Sequence, residues 1–226
     1  MASSLIIEEQ LEIPFVRSLG EFRAWATSDD FPERGRIDFL AGRIEVDMSP
    51  EDLFCHGTLK TEIIQVLGRL LKASGAGYLF SDRARVSSPE GEFSVEPDVV
   101  FLSHQSLESG RVRLVPKATG EPDCYLELEG PPDLIVEIVG DSSVTKDTQR
   151  LPAAYWRAGV EEFWLVDARS ETLLFQIHRR GRSAYEAILP DAEGFQHSAV
   201  FQARFRLSRR RNEHGRWAFD LEARHS

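Results

Sequence analysis

The sequence predicts an α/β protein with a mixed β-sheet core flanked by helices, the class built from strands and helices that alternate along the chain. The apolar run at 134–139 lies between two prolines and Gly140, as in a strand buried on both faces. The run at 161–167 has the same character. Apolar residues recur at helical spacing over 59–71 and 151–158, which predicts a helix before and a helix after the central strand.

The individual elements follow from local patterns. Ser18 with Glu21 caps a helix, Ala41-Gly42 suits a hairpin turn, and Gly75 suits a helix end. Pro152 has no N–H, so its helix should begin no earlier than a cap at Thr148. In chain order we predict a helix over 19–27, a hairpin over 36–47, a helix from Ser49 or Asp52 to 74, strands over 78–86 and 94–102, an irregular stretch over 103–130, the central strand, a helix to 158, a strand over 161–167, a hairpin over 171–189, and strands over 199–207 and 217–222.

The length of 226 residues suits one large domain with additions. We expect a loosely attached arm over residues 1–17 and a single domain over 18–226. The core of this domain would cover about 49–167, and a β extension would follow over 171–222.

Composition narrows the classes of function. The net charge of −10 argues against a generally basic coat for nucleic acid, but leaves room for a local basic groove. Cys55 and Cys124 lie far apart without metal-ligand spacing, which favours a reduced, cytoplasmic setting. Residues 1–10 lack the positive region of a signal peptide, and no apolar run is long enough to cross a bilayer, so we expect no membrane partner.

Two carboxylates are the sharpest chemical signal. Glu137 stands in the middle of the central strand, where a charge is costly to bury unless it is paired or bound to a cation. Asp98 follows Pro97 on a neighbouring predicted strand. Together they could hold a hard divalent cation that activates water at a phosphate group. The alternative is that Asp98 caps a turn while Glu137 pairs with an arginine.

The motifs around these acids resemble the Uma-two family, restriction-endonuclease-like proteins of the PD-(D/E)xK superfamily. The similarity runs from about residue 20 to about residue 190, and the stretch at 159–167 is its most specific part. The motifs that carry the similarity are Gly42-Arg43-Ile44-Glu45, Met48-Ser49-Pro50, His56, Glu96-Pro97-Asp98-Val99, Pro132-Asp133-Leu134-Ile135-Val136-Glu137-Ile138, Asp147, Tyr155 and Gly159-Val160-Glu161-Glu162-Phe163-Trp164-Leu165-Val166-Asp167.

The resemblance implies a restriction-endonuclease-like core and metal-dependent cleavage of DNA. Asp98 and Glu137 would be catalytic and would ligate Mg²⁺ or Mn²⁺. The lysine expected two residues after Glu137 is replaced by Val139, and the position that supplies it from the next helix is Leu151. Lys146 is then the candidate catalytic lysine, although it stands out of register.

Several further residues are secondary candidates. His56 and Glu62, on the first long helix, could reach the site, although a lone histidine there is more often structural. Asp147 could hold the cation or cap a helix. Arg209, Arg210 and Arg211 could contact phosphate, whereas the alternative is a solvated edge-strand face.

The first reading is therefore a Mg²⁺- or Mn²⁺-dependent endonuclease acting on DNA. The rival reading is a catalytically impaired nuclease-fold module that binds nucleic acid or a protein, and Val139 and Leu151 favour it because both are apolar. A structural homodimer joined through a sheet edge is a third possibility.

Overall fold

The computed structural model describes residues 12–32 and 34–225. In these ranges, four α-helices accompany two six-stranded sheets and one three-stranded sheet. The expected mixed α/β class is confirmed, although the strands are divided over three sheets. Residues 1–11 of the predicted arm lie outside the described residues.

The helices and strands have the following bounds. The α-helices are α1 Leu19–Ala26, α2 Leu59–Ser74, α3 His104–Glu108 and α4 Leu151–Ala158. The strands are β1 Arg36–Leu40, β2 Arg43–Asp47, β3 Gly77–Ser81, β4 Arg85–Ser88, β5 Phe93–Val95, β6 Val99–Ser103, β7 Arg113–Pro116, β8 Tyr125–Glu129, β9 Leu134–Ile138, β10 Glu162–Asp167, β11 Leu174–Arg180, β12 Tyr185–Ala187, β13 Gln196–Ser198, β14 Ala203–Arg211 and β15 Trp217–His225.

The strand β9 is the centre of its sheet, whose order is β12-β11-β10-β9-β6-β3. It pairs in parallel with β10 and antiparallel with β6, and every residue in it is buried. The face of β9 that carries Val136 belongs to the same apolar cluster as Ile63 of α2. The opposite face, which carries Ile135, belongs to the same cluster as Tyr155 of α4. The predicted burial on both faces is confirmed.

The strands predicted over 78–86 and 94–102 are each divided into two, so the prediction of two continuous strands was wrong. The chain leaves the β9 sheet after β3 and enters the sheet of order β2-β1-β5-β4-β8-β7 at β4, turning through Asp82 and Arg83 at positive φ of 46° and 56°. It returns between β5 and β6, where Pro97 lacks a donor for a strand ladder. The Asp82 N–H donates to the Asp98 carbonyl at 3.4 Å, so both crossings lie together.

Both helices beside β9 begin with a wide π-helical turn. Asp52 caps the turn Leu53–Thr58 before α2, as one of the two predicted caps, and Ser49 stays outside it. A second turn, Lys146–Arg150, precedes α4, and α4 itself begins at Leu151, so it starts no earlier than Thr148, as predicted, although Thr148 is not its cap. Within that turn the Leu151 N–H bonds to the Lys146 carbonyl five residues back.

The remaining differences lie in the polar segments. The predicted irregular stretch contains β7 and β8, whose charged residues hide the strand pattern. The strand β14 runs through Arg211, where a loop was expected, and β13 is an additional strand of the third sheet. Within residues 12–32 and 34–225, no helix is both long enough and apolar enough to cross a membrane.

Candidate metal centre

An open cleft of about 970 Å³ lies where the chain crosses between the two large sheets. Its walls are the segment before α2 (47–52), the segment after β9 (138–143) and the crossing residues Asp82 and Arg83. A cleft at strand ends with several polar walls is a common place for a binding site.

Asp98 lies beside this cleft, at the crossing between the two sheets, and is only 1% exposed. Its Oδ2 accepts the Ile138 N–H at 2.8 Å. The Asp98 side chain thus replaces the backbone carbonyl that would accept this N–H if the ladder between β6 and β9 continued. Arg36 Nη2 and Lys60 Nζ each lie 3.2 Å from Oδ1, and His56 Nε2 lies 3.4 Å from Oδ2. Burial raises the pKa of Asp98, but the hydrogen bond from His56 and the nearby positive charges outweigh it, so the pKa lies well below its usual range.

Glu137 is the cross-strand neighbour of Asp98. Extending the β6–β9 register by one residue beyond the Val99–Val136 pair places the two acids opposite each other. Glu137 is 2% exposed and accepts a hydrogen bond from the Tyr155 hydroxyl. Burial, followed by the charge of Asp98, raises the pKa of Glu137 well above its usual value.

Glu51, His56 and Asp98 could hold a metal ion, because one ligand atom from each lies within 4.8 Å of the others. His56 Nε2 lies 3.1 Å from the Ile138 carbonyl, so this nitrogen carries a hydrogen. The buried Nδ1 has no hydrogen-bond partner, yet it lies 3.1 Å from Glu51 Oε2. A lone pair facing a carboxylate is repulsive unless a proton or a metal ion stands between them. A cation shared by all three residues would replace the hydrogen on Nε2, because Asp98 faces that nitrogen, and in this form the donor set fits a cation.

The cations around these acids offset their charge. Lys146 donates to the buried Asp38, and Arg36 and Lys60 lie against Asp98. The buried acids of this cluster are Asp38, Asp98, Glu137 and Asp147. Three cations therefore lie among four buried acids and offset part of their charge without a metal.

The predicted lysine and the secondary acids occupy different positions. Lys146 bonds to Asp38. Burial lowers the pKa of Lys146, but the charge of Asp38 and, to a smaller extent, that of Glu137 raise it above its usual value. Asp147 is buried near Glu137 and accepts from the Ser143 hydroxyl. Glu62 faces the C-terminal sheet instead, where it accepts the Leu221 N–H at 3.0 Å.

The predicted arginines divide between the two faces of β14. Arg209 and Arg211 both lie over the Trp217 ring, at 4.0 and 3.7 Å from its centroid. Arg209 also donates to the carbonyl of Ala168, which follows β10. Because β9 and β10 are parallel, this residue lies at the same end of the sheet as the cleft. Arg210 points to the other face because side chains alternate along a strand.

Sequence reasoning missed three residues of the site. Glu51 and Arg36 are ordinary surface types in the sequence, and only the fold brings them to Asp98. Lys60 lies at the margin of the apolar stripe of α2, a position typical of a solvent-facing lysine, yet it is only 4% exposed. Its spacing of four from His56 was the available signal, since that spacing places side chains on one helical face.

Comparisons with known proteins identify a family and a similar fold. The Uma2 family model, described as "Putative restriction endonuclease", matches residues 19–210. The crystal structure of "a putative nuclease belonging to DUF820" from Anabaena variabilis ATCC 29413 is similar at a TM-score of 0.56 and 20% sequence identity, covering 81% of this chain and 90% of that chain. At this identity the similarity shows the fold alone. No curated protein matches the chain.

Proposed function

This chain belongs to the Uma2 family, and on that basis we propose that it is a metal-dependent endonuclease that hydrolyses phosphodiester bonds of DNA. The observation that carries the proposal is the convergence of Glu51, His56 and Asp98 beside an open cleft. Family membership supplies the reaction class, and these side chains supply a place for the metal.

Glu51, His56 and Asp98 would hold the ion, which would take the place of the hydrogen between His56 and Asp98, and Glu137 would join them in its ionised form. When bound, the metal activates a water molecule and offsets negative charge on the phosphate. His56 contributes a nitrogen ligand, which suits Mn²⁺ better than Mg²⁺. We therefore expect faster cleavage with Mn²⁺ than with Mg²⁺.

The arginines beside the cleft support a DNA substrate. Arg209 and Arg211 lie against Trp217, and Arg216 lies 5.5 Å over the Phe54 ring in the turn before α2. These guanidinium groups are placed to contact backbone phosphates of a nucleic acid that enters the cleft. The acidic remainder of the surface would confine the contact to this side.

The test is cleavage of supercoiled plasmid with Mn²⁺ or Mg²⁺. We expect Asp98→Ala and His56→Ala to reduce the rate by about 100-fold or more, because each removes a ligand of the ion that would stabilise developing charge on the phosphate. Glu108→Gln, an exposed change on α3, is the control and should cleave like the parent. Cleavage that is unchanged in Asp98→Ala would contradict the proposal.

A second candidate is a nuclease-fold module that binds DNA or protein without cutting, and one observation favours it. Asp98 and Glu137 are both buried, and Arg36 and Lys60 already offset the charge of Asp98. Absence of metal-dependent cutting by a folded parent that still binds DNA would establish this function. Sedimentation of the same sample would test the proposed homodimer.

A further inference from the structure

The site lacks a lysine at both positions where the family resemblance places one. Val139 and Leu151 are each 2% exposed and belong to the apolar cluster on the α4 side of β9. Lys146, the sequence-based candidate, bonds to Asp38. None of these three positions brings an ammonium group to Asp98.

Lys60 brings one from the opposite side of the sheet. It projects from the first turn of α2, and its Nζ lies 3.2 Å from Asp98 Oδ1. The same Nζ lies 2.6 Å from Asp82 Oδ1 and 3.2 Å from Glu51 Oε2. Asp98 is buried, whereas Glu51 and Asp82 line the cleft with side chains 48% and 56% exposed. The ammonium therefore lies at the boundary between the buried acid and the cleft.

We propose that Lys60 is the catalytic lysine of this site, and that its ammonium contacts the scissile phosphate from α2 in place of the lysine absent at 139 and 151. This inference rests on the proposed nuclease function. Glu51 and Asp82 hold the ammonium at the cleft wall, and a phosphate oxygen would replace one of these exposed carboxylates as its partner.

The chemistry assigned to Lys60 is electrostatic. Water oxygen forms a bond to phosphorus while the bond from phosphorus to the leaving sugar oxygen breaks. The attacking water gives its proton to solvent, and the leaving oxygen takes one from solvent. Lys60 keeps its proton, because burial lowers its pKa but the charges of Asp98, Asp82 and Glu51 raise it further. It stabilises charge on the phosphate and does not act as a base.

The experiment compares Lys60→Met and Lys60→Gln with the control Lys72→Met, an exposed lysine on the same helix. We expect both Lys60 variants to fold and to cut plasmid with Mn²⁺ about 100- to 1,000-fold more slowly than the parent. The control should retain the parent rate. Circular dichroism melts would establish that the variants are folded.

Two readouts separate this role from general damage. Calorimetric Mn²⁺ affinity without DNA should stay at the parent value or increase, because a competing cation has left Asp98. Affinity for an oligonucleotide, measured with Ca²⁺ in place of Mn²⁺, should fall, and its logarithmic salt slope should decrease by about one phosphate contact.

The possible failures are distinguishable. If Lys60 variants cut within about threefold of the parent while Asp98→Ala is inactive, the lysine assignment is wrong and the nuclease proposal stands. If both Lys60 variants unfold or lose Mn²⁺ binding, Lys60 is a structural counter-ion only and the assignment is overturned. If the parent itself shows no metal-dependent cutting, the proposed function fails and the assignment fails with it.

Discussion

At the scale of single residues, two carboxyl groups of the same chemistry differ because their neighbours differ. Asp98 is surrounded by Arg36, Lys60 and His56, so its pKa is held low despite burial. Burial, followed by the negative charges of Asp98 and Asp147, raises the pKa of Glu137, and the hydrogen bond from the Tyr155 hydroxyl opposes this rise only in part. The two acids therefore differ in how readily they ionise, and the ionised form is the one that binds a metal.

Asp147 predicts a measurable pH dependence of stability. Burial is the main cause that raises its pKa to about 6, from an unfolded value near 3.8. The folded chain therefore binds more protons than the unfolded chain between these values, so the free energy of unfolding falls as pH rises from about 4 to about 6. The decline in the free energy of unfolding, measured with urea, should be about 3 kcal/mol across this range in the parent, and Asp147→Asn should abolish it.

The control for this measurement is Glu108→Gln, which changes an exposed carboxyl to its amide. Its difference from the parent in unfolding free energy should not vary over the same pH range. An Asp147→Asn profile parallel to that of the parent would show that this carboxyl group does not carry the titration.

At the scale of elements, sequence patterns identified the central strand, the first helix and the N-terminal hairpin, because each has regular spacing and a local cap or turn. Ser18 accepts the Glu21 N–H at 3.2 Å, as the capping box requires. The two crossings between sheets were missed because a broken strand and a straight strand share the same apolar alternation. Asp98 was found as an acid, while its partner Lys60 was not, because their meeting depends on the crossing.

Two glycines predict opposite effects on stability. Gly77 lies in β3, where an added Cβ would come 2.1 Å from the Leu102 carbonyl oxygen of β6. We expect Gly77→Ala to reduce the unfolding free energy by about 1–3 kcal/mol. Gly68 lies in α2 with open space around its Cβ position, so Gly68→Ala should raise it by about 0.5–1 kcal/mol.

Urea unfolding of both variants provides the comparison, and each serves as the control for the other since the chemical change is identical. Equal destabilisation by the two alanines would contradict the close approach of β3 to β6. Loss of stability at Gly68 alone would contradict the open environment of that helix face.

At the scale of the whole molecule, we propose that residues 18–226 unfold as a single domain. The apolar clusters on either side of β9 share its strands, so separate unfolding of one sheet would expose both. Urea transitions followed by tryptophan fluorescence and by circular dichroism should coincide. Two separated transitions would contradict this proposal, because they would mean that the core and the C-terminal β extension unfold independently.

Charge distribution gives a second prediction at this scale. Removing Arg211 and Arg216 together should weaken DNA binding and reduce the logarithmic salt slope by about one to two phosphate contacts. The matched control is Arg179→Ala with Arg182→Ala, in the β11–β12 hairpin at the opposite end of the β9 sheet. Equal losses in the two double variants would indicate general electrostatic attraction rather than a contact beside the cleft.

The cations packed around Asp98 have a consequence for the history of such proteins. Since internal cations already stabilise these acids, selection for folding alone is sufficient to retain them in a lineage whose members no longer turn over substrate. Retention of the acids is then weak evidence of activity. A more informative position is the lysine placed between the buried acid and the cleft, because on the proposed role its loss in a relative that keeps the acids would accompany the loss of chemistry.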